Sequence, residues 1–234
     1  MSDLFQRVVE ATVKMEGRTG QGVLIPGGYI VTAAHCIEWN GEGPMALGDT
    51  FLEWVATKNG KRFRAEVIAV EAVSDIAVLG APDNQEPDLT EDSDAFEEWT
   101  EATTPVPLAL KPPLPQQSVK TRLLTHREQW INATITNHSF SGLSCGCMAI
   151  RAAEPILGGT SGGPVVDLRG RLMGVVSWAS EVKAGSPCRG QIPIACRTLP
   201  PWVLLNVDPK FRAQARAQNR KIMKAMLWKK RRTP

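Results

Sequence analysis

The sequence predicts an all-β protein, two six-stranded antiparallel β-barrels followed by a C-terminal α-helix, and three observations carry the prediction. Short apolar segments come in two groups of six, each segment bounded by glycine or polar turn residues. Between the groups lies a stretch too acidic and proline-rich to continue either pattern. After Asp208-Pro209 the apolar spacing changes from that of strands to that of a helix.

The first group is VVEATVKM, GVLI, YIVTAAHC, FLEWVA, FRAEVIAV and DIAVL, running from Val8 to Leu79. Gly17 to Gly20, Pro26-Gly27-Gly28, Gly41 to Gly43 and Asn59-Gly60 punctuate it. Asn59-Gly60 is the strongest hairpin signal, because both positions accept positive φ. This group defines a first barrel over residues 1–80. Residues 81–110 hold nine Asp or Glu and no Lys or Arg, and TTPVPLALKPPLPQQ follows. That composition disfavours helix and central strand alike, so 81–117 reads as a linker or large surface loop. The second group is VKTRLL, QWINATI, CMAIRA, GPVVDL, RLMGVVSW and IPIAC, a second barrel over 118–206. In 207–234, Asp208 supplies an N-cap and Pro209 suits a first helical turn. Phe211, Ala215, Ile222 and Met226 then recur at helical spacing, with ten Lys or Arg in 210–234. The helix therefore has a basic outer face, and residues 1–209 are left net acidic.

At 43% hydrophobic and 22% charged, the chain has the composition of a globular protein with a substantial core. No apolar run is long enough for a membrane span, and MSDLFQRVVE has polar residues where a signal peptide is apolar, so the expected location is cytoplasmic. Five cysteines agree with a reducing compartment, since an odd number leaves at least one unpaired within the chain. Cys145, Cys147, Cys188 and Cys196 number enough thiolates for a structural zinc. The C-x-C spacing is shorter than the usual zinc knuckle, and free thiols are the simpler reading.

The segment LGGTSGGPVV, Leu157 to Val166, places Ser161 among four glycines. Glycine contributes no packing, so its use there is conformational. A nucleophilic serine on a tight turn with inward-pointing amides explains the run, and so does a glycine-rich hairpin turn. A nucleophile needs a base, and a base needs an orienting carboxylate. His35 lies in IVTAAHCI just after an apolar segment, and Asp75 in VSDIAVL just before one. Taken singly, His35 is equally a satisfied core histidine and Asp75 a turn residue. His126 and His138 lack comparable surroundings and read as loop or strand-surface residues.

TAAHC, SDIAVL and GTSGGP, in that order, resemble the trypsin-like serine proteases of the chymotrypsin fold, over roughly residues 5–205. The resemblance implies Ser161 as nucleophile, His35 as general base and then acid, and Asp75 as the group fixing the imidazole tautomer. It places the oxyanion hole at the amides of Gly159 and Ser161, with Gly162 and Gly163 letting the following strand pack closely. GGTSGGPVVDLRGRLMGVVSW and GQGVLIPGGYIVTAAHC are most similar to bacterial HtrA-like trypsin-like peptidases, here without a following PDZ-length domain. On this pattern, peptide substrate pairs with the backbone of Ser177, Trp178 and Ala179, and Pro155 stands where trypsins carry a specificity-setting acid. Glu154 is adjacent, and the preferred residue before the scissile bond is apolar or small. No Ile-Val-Gly-Gly start is present for activation by a new N-terminal amine, and no cysteine near Gln21 is present to pair with Cys36. Neither cofactor nor metal is implied.

The expected function is thus an intracellular serine endopeptidase acting on protein or peptide substrates. Two alternatives stand beside it. One is a catalytically silent binding module on the same fold. The other is a protease recruited through its basic C-terminal helix to an acidic partner or nucleic acid. The acidic 83–101 loop, placed by this reading at the barrel junction, is the expected seat of a regulatory partner or activation gate.

Overall fold

The computed structural model describes residues 3–37, 51–71, 75–83, 85–111, 113–137, 147–178 and 183–191, together with Ala213 and Ala217, both helical and exposed. The rest of the expected C-terminal helix and basic tail lies outside the described residues.

Helix α1, Asp3–Glu10, opens the chain because Phe5, Val8 and Val9 fall on one face, and all three are buried. Val8 to Glu10, expected as the start of a strand, belong instead to this helix. The Ala11 amide donates to the Arg7 carbonyl and the Thr12 hydroxyl to the Val8 carbonyl, which ends it.

The first barrel follows as β1 (Thr12–Met15), β2 (Gly20–Ile25), β3 (Tyr29–Thr32), β4 (Leu52–Ala56), β5 (Arg62–Glu71) and β6 (Ile76–Gly80). It closes in the order β1-β2-β3-β6-β5-β4. The second barrel is β7 (Ser118–Leu124), β8 (Trp130–Asn137), β9 (Cys147–Ala152), β10 (Pro164–Asp167), β11 (Leu172–Trp178) and β12 (Pro187–Gln191), closed as β10-β11-β12-β9-β8-β7. Its sixth strand is PCRGQ rather than the expected IPIAC, whose residues lie outside the described ones. Two polar residues and a glycine hide this strand from a hydrophobicity reading. It forms because β9 and β11 flank it and satisfy its backbone on both sides.

All six residues of β2 are buried, although a barrel strand with one wet face alternates. The second face of β2 meets the other barrel: Val23, Leu24 and Ile25 share one hydrophobic cluster with Val166, Leu172 and Val175. The interbarrel connection is stitched to both sides, with the Val106 amide donating to Leu24 and the Ala109 amide to Leu172.

α1 straps the barrels together from outside. The Phe5 ring stands edge-on to Trp130 of β8 at 5.0 Å, and the Arg122 guanidinium lies over it at 4.5 Å. Arg122 Nε is buried without a hydrogen-bond partner among the described residues, so this ring contact is part of what replaces water around the charge. Phe5→Ala is expected to cost about 3 kcal/mol or more, read as a lower urea midpoint, because it opens a cavity and strips the Arg122 face.

The acidic connection is not the expected loop. Thr90–Ala102 forms helix α2, with Phe96 and Trp99 buried against Phe63 of β5 at 5.6 and 5.7 Å. Its acids sit where a helix tolerates them: Glu91 and Asp92 lie in the first turn, favoured by the helix dipole. Asp92 also pairs with Arg64 at 2.6 Å, and Glu98 pairs with Lys61. The apolar pair at helical spacing outweighed the charge. α2 docks at the Lys61–Arg64 end of β5, whereas Glu71 at the other end pairs with Ile76, next to Asp75. No helix among the described residues is long and apolar enough to cross a membrane.

Candidate active site

His35 stands in a short 3-10 turn, Ala34–Cys36, that continues from β3, and Asp75 immediately precedes β6. Since β3 and β6 are ladder neighbours, the two loops emerge side by side. His35 Nδ1 lies 2.9 and 3.0 Å from the two Asp75 carboxylate oxygens, and the His35 backbone amide donates to Oδ1 at 3.0 Å. Asp75 adopts φ +53°, a left-handed conformation that aspartate tolerates better than most residues. In the neutral imidazole the carboxylate fixes the proton on Nδ1 and so leaves Nε2 as the acceptor. The side chain of His35 is 45% exposed and that of Asp75 16%, so the imidazole is open to a substrate while its partner is sheltered.

A third group holds the carboxylate. The Ser177 hydroxyl, in β11, donates to Asp75 Oδ2. The β11–β12 register shifts between Val176 and Trp178, and Ser177 sits at that bulge. The bulge explains how a residue expected only as a backbone partner for substrate also aims its hydroxyl into the interbarrel seam.

Hydrogen bonding to Asp75 foremost, then contact with the Cys36 sulfur, raises the His35 pKa well above the ordinary 6.5, with burial opposing. Because the folded value is the higher one, this pair contributes stability that is fully present below pH 6.5 and is lost as pH rises through the folded value.

Ser161 is 8% exposed, on the turn between Ile156 and β10. Gly159 and Gly162 in this turn have φ of +84° and +75°. A Cβ on Gly162 would stand 1.8 Å from the Gln21 carbonyl oxygen and 2.5 Å from Thr32 Oγ1. Gly162 is therefore a barrel-to-barrel contact, whereas it was expected only to ease packing of its own strand. Gly163 is closely approached as well, by the Gln21 side chain and the Leu124 carbonyl. The Gln21 amide donates to the Ser161 carbonyl at 2.7 Å, tying the serine's own backbone to the first barrel.

The same docking brings the Ser161 backbone close to Cys36, the residue after His35. A Cβ on Gly20 would meet Cys36 Sγ at 2.5 Å and the Ser161 carbonyl at 3.1 Å, so the residue after His35 and the serine share one glycine contact. Ser161 makes no side-chain hydrogen bond among the described residues, so its contact with His35 Nε2 is not closed here. Catalytic hydrogen bonds are often long without substrate. The Gly162 and Gly163 amides are engaged by Val176 and Thr160 carbonyls. Among the described residues no backbone carbonyl engages the Gly159 and Ser161 amides, the pair expected for an oxyanion hole.

The chain belongs to the trypsin-like peptidase domain family. That family's model matches residues 20–175, from the glycine facing Cys36 to Val175 in the strand that carries Ser177. This trypsin-like serine protease is similar in fold to solved proteases of low sequence identity. The active form of the Rv3671c protease from M. tuberculosis is 18% identical, covers 88% of this chain and 84% of its own, and has a TM-score of 0.54. An HtrA-type protease, AlgW, solved with a tripeptide, is 16% identical with a TM-score of 0.56, over 86% of this chain and 62% of that one. A serine endoprotease from Yersinia pestis reaches 19% identity and a TM-score of 0.50, over 81% and 61%. No curated protein matches the chain.

The remaining expected residues of this protease divide. Trp178 extends β11 opposite Arg189, while Ala179 lies outside the described residues. Pro155 and Glu154 are exposed in the connection before the nucleophile turn, and no described contact ties either to His35 or Asp75. Cys147 pairs with Gln191 and Cys188 with Ile150 in the β9–β12 ladder. Cys145, Cys196 and His138 lie outside the described residues. His126, expected as a loop or surface residue, is half-buried with Nδ1 3.3 Å from Thr160 Oγ1, and its ring lies 3.5 Å from the Cβ position of Gly159. No local sequence signal marks it, because a hairpin from 34 residues upstream brings it there.

Proposed function

We propose that this protease is an intracellular endopeptidase that cleaves protein or peptide substrates through an acyl-enzyme on Ser161. The observation that carries the reading is the Asp75 carboxylate, which accepts from the His35 ring, the His35 amide and the Ser177 hydroxyl at once. A carboxylate so held keeps Nδ1 protonated and Nε2 basic. The Ser161 hydroxyl gives its proton to His35 Nε2 as its oxygen bonds to the substrate carbonyl carbon. The charge that develops on the carbonyl oxygen is met by the Gly159 and Ser161 amides. The imidazolium then returns its proton to the departing amine nitrogen as the C–N bond breaks. Water, deprotonated by the same nitrogen, hydrolyses the ester and restores Ser161.

Substrate backbone pairs with the edge presented by Ser177, Trp178 and Ala179, adding a strand. With Pro155 where an acid selects Lys or Arg, the residue before the scissile bond is apolar or small. Location in a reducing compartment is supported by the free, buried thiol of Cys36, with Gly20 facing it where a disulfide partner would stand.

The experiment is labelling of the purified chain with a fluorophosphonate, which reacts only with an activated serine. Labelling of wild type that is absent from Ser161→Ala and His35→Ala is the expected result. A well-folded wild type that stays unlabelled alone, and with candidate partners added, overturns the reading in favour of a silent protease-fold binding module.

A further inference from the structure

A cleft of about 360 Å³ opens beside the nucleophile turn, and the peptide-bond chemistry proposed above does not use it. Lys14 and Met15 of β1 and the β1–β2 turn form one wall. His126, from the β7–β8 turn, and Gly158-Gly159 form the other. No β11 residue lines it. Substrate on the acyl side lies along β11, and Gly162 next to Ser161 is bonded to Val176 of that strand. A chain crossing over Ser161 therefore leaves across the opposite flank, over Gly159 and into this cleft.

The charges there are of one sign. Lys14 is exposed and projects from β1, and among the described residues no acidic one lines the cleft. Two acids on the flanking turns are already engaged: Glu16 by Arg62 at 2.6 Å and Glu128 by Lys58 at 3.2 Å. The His126 pKa is lowered, by burial first and then by the positive charges of Arg127 and Lys14. His126 also offers a ring nitrogen at the cleft wall while it holds Thr160, the residue before the nucleophile.

We infer that this cleft is the leaving-group-side specificity site and selects an acidic residue, Asp or Glu, at the first or second position after the scissile bond, with Lys14 as the cation and His126 as the polar wall. The inference rests on the Ser161 chemistry proposed above. An exposed pair of opposite charge is worth a few-fold in binding, and exchanging the acid for a lysine adds repulsion to the loss, so the expected discrimination is roughly five- to tenfold in kcat/KM. Being exposed, it weakens as salt is raised.

The test has two arms. In the first, a proteome-derived peptide mixture is digested by wild type, Lys14→Glu and His126→Gln, and the cleavage sites are read by mass spectrometry. Asp and Glu enriched after the cut in wild type, with Lys and Arg enriched instead for Lys14→Glu, is the expected outcome. Cleavage with no charge preference there, or with a preference that both variants retain, overturns the inference and leaves the serine-protease reading intact. In the second arm, Ser161→Ala is titrated with two fluorescent peptides that differ only in a Glu-Glu or Lys-Lys pair. Tighter binding of the Glu-Glu peptide, lost in the Lys14→Glu background, supports the cleft even if the wild type cleaves nothing, a result that overturns only the proposed function. Equal binding of the two overturns the cleft.

Discussion

Asp75→Asn is expected to lower kcat/KM by about four orders of magnitude while leaving the barrels folded. The amide fits the same space but presents an N–H₂ or a neutral oxygen where the carboxylate accepted from His35 Nδ1, the His35 amide and Ser177. The imidazole is then free to take the tautomer with its proton on Nε2, which cannot accept from Ser161. A second readout separates this role from simple structural support. The wild-type His35 pKa is raised above 6.5 chiefly by Asp75, so the rise of kcat/KM with pH has its midpoint above 6.5. Removing the carboxylate moves that midpoint down. A residual rate in Asp75→Asn with an unmoved acid limb would show that Asp75 does not set the state of His35. Ser177→Ala tests the same network more gently: the expected loss is smaller, because two of the three donors to Asp75 remain.

Gly162→Ala is expected to cost more than about 3 kcal/mol and to abolish activity, the largest effect of any one added methyl group in the described residues. Two costs combine. At φ +75° any L-residue is strained by roughly 1–2 kcal/mol. The new Cβ would also stand 1.8 Å from the Gln21 carbonyl oxygen, a backbone atom whose partner, Thr32 Oγ1, is itself 2.6 Å away and would have to shift too. Gly28→Ala separates the terms, since Gly28 has φ +76° but nothing within 4 Å of its Cβ position. It is expected to pay the backbone strain alone and to keep full activity. Chemical denaturation of both variants, followed by peptide turnover, checks the pair. Similar destabilisation in the two would mean that the Gly162 contact with the first barrel contributes little.

Much of the site was readable because its chemistry is local. Ser161 announces itself by four glycines in seven residues, and the structure gives two of them positive φ. His35 and Asp75 were legible from strand-edge positions, and the β3–β6 pairing then makes them neighbours. The Ser177 hydroxyl was not legible as an anchor for Asp75. Its direction depends on a bulge, and a bulge is a matter of register between β11 and β12 rather than of composition. His126 was missed for a related reason. Its importance lies in a contact with Thr160 and Gly159 made across the second barrel.

The same division runs through the fold. Alternating apolar positions and glycine-bearing turns determined eleven of the twelve strands and the order of His, Asp and Ser, because strand formation and turn geometry are encoded residue by residue. α1 and α2 escaped that reading, since Val8-Val9 continues into a strand-like run and the α2 apolar face is only Phe96 and Trp99 in a field of acids. Neither helix has enough local signal to stand out, and each is stabilised by what it covers: Trp130 and Arg122 for α1, Phe63 and Arg64 for α2. By itself the sequence determined which residues are the candidates to carry the chemistry. Only the tertiary structure decided how the barrels dock through Gly20, Gln21 and Gly162, and so where the serine stands relative to its base, because those contacts are made by backbone atoms whose approach depends on everything folded around them.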